Sequence, residues 1–76
     1  MKRYFFDLRT TDQSLYDYQG DEFLNSQAAG QFAEVMALDL KHRPDGKWAE
    51  WSVEVRNAEG QMFFTIPIGI PELLAA

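Results

Sequence analysis

Apolar and polar positions change period three times along this chain, and each change marks an element. From Arg3 to Arg9 they alternate, with Tyr4, Phe6 and Leu8 on one side and Arg3, Phe5, Asp7 and Arg9 on the other, a strand with one apolar and one mixed face. Thr10 to Ser14 is turn chemistry, and Leu15 to Tyr18 follows as a short second strand. Asp17-Tyr18-Gln19-Gly20 then forms a turn that needs a positive φ at Gly20, after which Asp21 to Leu24 leads in extended form to a helix. From Asn25 to His42 the spacing turns helical. Ala29, Phe32, Ala33, Met36 and Leu40 form a stripe flanked by Ala28, Val35 and Ala37, while Gln27, Gln31, Glu34 and Lys41 fall opposite. Asn25 suits the N-cap, with Leu24 and Ala29 as a staple, and Pro44-Asp45-Gly46 closes the far end.

Alternation then returns. Trp51, Val53 and Val55 oppose Glu50, Ser52, Glu54 and Arg56, and a last strand from Gln61 to Ile68 places Met62, Phe64, Ile66 and Ile68 on one side. Asn57-Ala58-Glu59-Gly60 between them suits a hairpin loop with Gly60 left-handed, and Pro67 and Pro71 set the end of the ladder. The order β-β-α-β-β over residues 1–76 predicts one α+β domain of two layers: an antiparallel sheet of about four strands with one long helix on one face. That helix should meet Tyr4, Phe6, Leu8, Trp51, Val53, Val55, Phe64 and Ile66.

Size limits what such a core supplies. A chain of 76 residues gains roughly 3 to 5 kcal/mol from a single core. Without cysteine it has neither disulfides nor thiolate metal sites, which leaves oligomerisation as the natural aid. An apolar content of 46% rules out intrinsic disorder, and no apolar run is long enough to span a bilayer. Asp7 and Arg9 interrupt the amino-terminal aromatics short of a signal-peptide core, so a soluble cytoplasmic protein is expected. The net charge of −5 disfavours nucleic acid.

On the face away from the helix, alternation leaves Phe5 and Phe63 among Arg3, Arg9 and Arg56, with Asp7, Ser52, Glu54 and Thr65 nearby. If the first and last strands are neighbours, this is one patch suited to a dimer interface or an unidentified protein partner, and after that to base stacking. Asp17, Asp21 and Glu22 around Gly20 lack the alternating carboxylates of a calcium loop and read as a solvated acidic turn. Asp39 is placed to pair with Arg43, and His42 to cap the helix end. With no nucleophile beside an orienting base and no phosphate loop, the chain reads as a non-enzyme without cofactor or metal. The end Leu74-Ala75-Ala76 resembles a bacterial degradation tag, against the alternative that Ile70, Leu73 and Leu74 dock as a short turn.

Tyr4-Phe5-Phe6-x-Leu8-Arg9, Asp17-x-x-Gly20-x-x-Phe23, the alanine-rich helix, Trp51 with Val53-x-Val55, and Asn57-x-x-Gly60 stand in an order that resembles a family of small bacterial proteins classed as a domain of unknown function. The resemblance covers nearly the whole chain and implies a small stand-alone domain. It supplies no activity to carry over. After Tyr-Phe-Phe, where that family usually has histidine, this chain has Asp7. Gly20-Asp21-Glu22-Phe23-Leu24 leading into the helix is also similar, over about a third of the chain, to small β-β-β-α antitoxin domains, which implies a partner-binding regulatory module as the alternative function.

Overall fold

In the computed structural model, which describes residues 1–69, the elements are β1 (Lys2–Arg9), β2 (Ser14–Leu15), β3 (Asp21–Phe23), α1 (Ser26–Lys41), β4 (Ser52–Asn57) and β5 (Met62–Pro67). They form the expected α+β arrangement, one helix on an antiparallel sheet, with five strands. The sheet runs β2-β1-β4-β5, and β3 also pairs with β1. Because β4 holds one edge of β1 from Tyr4 to Arg9, β2 and β3 share the other, β2 opposite Leu8 and Arg9 and β3 opposite Lys2 to Tyr4. The segment expected merely to lead into the helix is thus a strand. Conversely, β2 stops at Leu15, where Leu15 to Tyr18 was expected, because the chain from Tyr16 to Gly20 arches away before returning as β3.

Local chemistry sets the helix ends. Asn25, in extended conformation, accepts the Ala28 N–H on its side chain at 2.9 Å. At the other end the His42 N–H donates to the Leu38 carbonyl, and its ring Nδ1 lies 2.9 Å from the same oxygen. The staple is missing, since Leu24 is largely exposed. Asp39 and Arg43 pair at 3.0 Å across one exposed turn, as their spacing predicts.

The buried line of α1 is Ala29, Gly30, Ala33, Ala37 and Leu40, a seam of small residues rather than the stripe of larger ones. Small side chains let the helix settle close over β4 and β5. Val53 and Val55 beneath it are fully buried, and Phe64 lies so near Gly30 that a Cβ there would sit 2.7 Å from its ring. Phe32, assigned to the centre of the stripe, is 43% exposed: it stands at the flank and meets Phe6 and Phe23 edge-on at 5.1 and 5.3 Å. Met36 is half-buried beside it. Trp51 packs at the margin, edge-on to Trp48 at 5.3 Å.

A one-residue irregularity reorders the last strand. Val55 pairs with Phe64, but Arg56 pairs with Met62, so β5 carries Phe63 as an extra residue. The bulge turns Phe63 onto the helix side, where its ring meets Tyr4 at 5.7 Å, and moves Met62 opposite Arg56 on the outer face. Both exchange the faces that strict alternation assigns. Gly60, at φ +86°, closes the β4–β5 loop as expected. The expected helical turn at residues 72–76, the docking of Ile70, Leu73 and Leu74, and the degradation tag at residues 74–76 lie outside the described residues.

The seam gives a direct test. Ala33→Asp places an unpaired charge where the native side chain is fully buried, a cost above the roughly 3 to 5 kcal/mol of such a core. Circular dichroism should show it unfolded, whereas Val35→Asp, at a position 66% exposed, keeps a cooperative melt.

Candidate functional site

Phe5, Phe63, Arg3, Arg9 and Arg56 do not form one patch. Strand β4 lies between β1 and β5, and the bulge removes Phe63 to the other side of the sheet. The three arginines do share the outer face with Phe5, but each is held by a carboxylate: Arg3 by Glu22 at 3.1 Å, Arg9 by Glu54 at 3.6 Å, and Arg56 by Asp7 at 2.6 Å. Phosphates would have to displace these partners.

The tightest of these pairs organises its surroundings. Asp7 is only 3% exposed and is the one buried charge among the described residues. Its cross-strand neighbour is Glu54, a like charge, and the diagonal Arg56 and Arg9 relieve that repulsion. Arg56 gives Nε to Asp7 Oδ2 and Nη2 to Oδ1, then donates Nη2 to the Asp17 carbonyl at 3.0 Å. The guanidinium stacks 4.6 Å over the Phe5 ring. Asp7 also accepts the Asp17 N–H at 2.9 Å. Bonding to Asp7, against the desolvation of a partly buried cation, raises the Arg56 pKa above its ordinary value.

Asp17 was read from the sequence only as part of a turn and a solvated acidic cluster, and its bonding role was missed. Its carboxylate accepts the N–H groups of Phe6 (3.2 Å), Gln19 (3.1 Å) and Gly20 (3.0 Å), standing in for a strand where β2 has ended and β3 has not begun. Gly20 must be glycine twice over: φ is +70°, and a Cβ would lie 2.7 Å from the Tyr4 carbonyl oxygen. An Asp three residues before a glycine was the available clue. Burial works to raise the Asp17 pKa, but the three N–H donors and Arg56 outweigh it, and the carboxyl titrates below its usual value. The acidic turn is therefore only partly solvated, with Glu22 paired to Arg3. Among the described residues no three His, Asp or Glu side chains gather as metal ligands.

Several recesses among the described residues border the helix, and two of them adjoin β1. One lies between α1 and the interrupted edge of β1, lined by Phe6, Leu8, Leu15, Tyr16, Phe32 and Met36 among others, with the Tyr18 ring 6.4 Å from that of Tyr16. The other, about 640 Å³, opens at the helix N-terminus beside Lys2, Tyr4, Ser26 and Phe63.

Two measurements test the knot. Arg56→Ala strands a buried carboxylate and should cost about 3 to 5 kcal/mol in urea melts, whereas the pair Asp7→Leu with Arg56→Leu should cost far less. Because the folded Asp17 pKa is depressed, its contribution is complete above the unfolded value near 3.8 and fades as pH falls through the folded one. Stability of the wild type should thus drop on acidification below pH 3.8 more steeply than that of Asp17→Asn, as thermal melts across that range would show.

No helix among the described residues is long and apolar enough to cross a membrane. No curated protein and no solved structure gives a match to the chain. A family model does, over residues 3–69, from the aromatic start of β1 to the end of the last hairpin, and the chain therefore belongs to the family described as a domain of unknown function, DUF6894.

Proposed function

We propose that this domain is a non-enzymatic interaction module that works as a pair of identical copies, joined along the recess between α1 and the β2 edge. The observation that carries this reading is the apolar surface left open there: Leu15, Tyr16 and Tyr18 are half or more exposed, and Phe32 stands at the flank, although the chain's own core is small. Of the nine buried apolar residues among those described, three are alanines, so a few large side chains matter to the whole. Tyr16 lines the hollow of Leu8, Phe32 and Met36 and forms a ridge with Tyr18, and a ridge adjoining a hollow is what a two-fold interface requires of a single surface. An ordinary interface takes about 800 Å² per partner, a modest share of the 5519 Å² this chain presents.

A non-catalytic role is supported by how the reactive groups are used. His42 is engaged on the Leu38 carbonyl, Asp7 is neutralised by Arg56, and Asp17 is spent on backbone N–H groups. Pairing of Arg3, Arg9 and Arg56 likewise favours protein over nucleic acid. One observation favours a second reading: the order β1-β2-β3-α1 is the β-β-β-α order of antitoxin-like modules, in which case the same surface takes a different protein.

Light scattering with sedimentation decides between them. The wild type should be dimeric at micromolar concentration, and Leu15→Glu with Tyr18→Glu should yield a folded monomer with an unchanged circular dichroism spectrum. A wild type that stays monomeric into the millimolar range overturns self-association.

A further inference from the structure

The recess assigned to self-association has one wall that is not part of the core. Tyr16, Asp17 and Gly20 line it from the arch, opposite Phe6, Leu8, Phe32 and Met36 of β1 and α1. No residue from Tyr16 to Gly20 is fully buried, and Tyr16 and Tyr18 are 53% and 86% exposed. Apolar burial therefore does little to hold the arch. Its place against the sheet rests on hydrogen bonds.

Those bonds converge on one residue. The Asp17 N–H donates to Asp7 Oδ1 at 2.9 Å, the Asp17 carbonyl accepts Arg56 Nη2 at 3.0 Å, and the Asp17 carboxylate accepts the Phe6 N–H at 3.2 Å. Arg3, an exposed side chain, adds one bond to the Gln19 carbonyl at 2.8 Å. Within the arch the Gln19 and Gly20 N–H groups turn inward to the same Asp17 carboxylate. The two-residue β2 stands at one end and Gly20, at φ +70°, at the other. A segment that buries little and is fastened at one residue opens as a single unit.

Asp7 and Arg56 do not line the recess, yet they supply two of the three bonds that tie Asp17 to the sheet. We infer that the arch is a hinged strap, held closed by the Asp7–Arg56 pair, and that a second copy docks only on the closed form. Asp7 and Arg56 are then positioning residues for a surface they do not touch. This rests on the self-association read above and states what regulates it. Both copies must be closed, so the dimer dissociation constant grows as the inverse square of the closed fraction. A strap closed about a third of the time weakens assembly about tenfold.

Amide hydrogen exchange by two-dimensional NMR, with sedimentation of the same samples, tests this on the whole chain. Asp7→Leu with Arg56→Leu should keep the circular dichroism of the wild type. The N–H groups of Phe6, Gln19 and Gly20 bond to Asp17 and not to the residues replaced. They should nevertheless exchange about tenfold faster, well beyond any change at Val53 and Val55, and the dimer should weaken about tenfold. Asp17→Asn, which leaves the pair in place but puts an amide where the carboxylate accepts, should show the same two effects and serves should the double variant not fold. Asn25→Ala, which removes the helix cap, should lower the melting temperature and change neither. Unchanged exchange at Phe6, Gln19 and Gly20 in a folded variant overturns the strap. Faster exchange with an unchanged dimer, or an equal loss of assembly in Asn25→Ala, overturns its control of docking while self-association stands. A wild type that stays monomeric into the millimolar range overturns both.

Discussion

The structure depends on one diagonal pair, Asp7 with Arg56. It joins residues 49 positions apart in sequence and sits on the face of the sheet that carries no helix. An isolated carboxylate so deeply buried would cost several kcal/mol. What makes Asp7 tolerable is that its oxygens are shared between Arg56 and the Asp17 N–H, so that one charged group fixes both the neighbouring strand and the arch at the edge. The arch is in turn a roof for the pair. Phe5 closes it by lying flat under the guanidinium, and Gly20 passes close enough to the same ring to exclude any side chain.

On the other face, packing follows from smallness. Hydrophobic weight along the helix points to Phe32 and Met36, because large side chains dominate any average over a stripe. Distance of approach points instead to Ala29, Gly30, Ala33 and Ala37, since an element settles deepest where its side chains are least bulky. The large residues are then pushed to the flanks, and there they line the recesses. The exposed apolar surface and the close helix contact are thus two effects of one sequence pattern.

What was legible in the sequence was local. Asn25 as a cap, His42 at the helix end, Asp39 with Arg43, Gly20 and Gly60 at positive φ, and the alternation of β1 and β4 all involve residues within a few positions of one another. The failures are one-residue or long-range events. A single extra residue at Phe63 exchanges faces without changing composition, and nothing in Gln61 to Ile68 marks where the register slips. Pairing of Asp21 to Phe23 with β1 depends on an arch that a side chain, not a strand, completes. The same blindness joined Phe5 to Phe63: alternation gives faces but not strand order, and β4 separates the two.

Where this sheet can meet a partner follows from how its other surfaces are closed. The outer face is a ladder of ion pairs, and covering it would desolvate Arg9, Glu54 and Arg56 together. The β5 edge is blunted by its own sequence. Ile68 donates its N–H inward to the Trp51 carbonyl, so the period of two turns Ile66 and Phe64 inward as well and leaves Thr65 and Pro67 facing out. Pro67 has no N–H to offer, and the bulge at Phe63 breaks the ladder below Thr65. Strand addition there would find little more than one regular residue to pair with. At the opposite edge β2 and β3 are only two and three residues long, and the backbone gap between them is already filled by the Asp17 carboxylate. Neither edge extends the sheet, and any partner must be held by side chains, which concentrates the opportunity in the recesses flanking the helix.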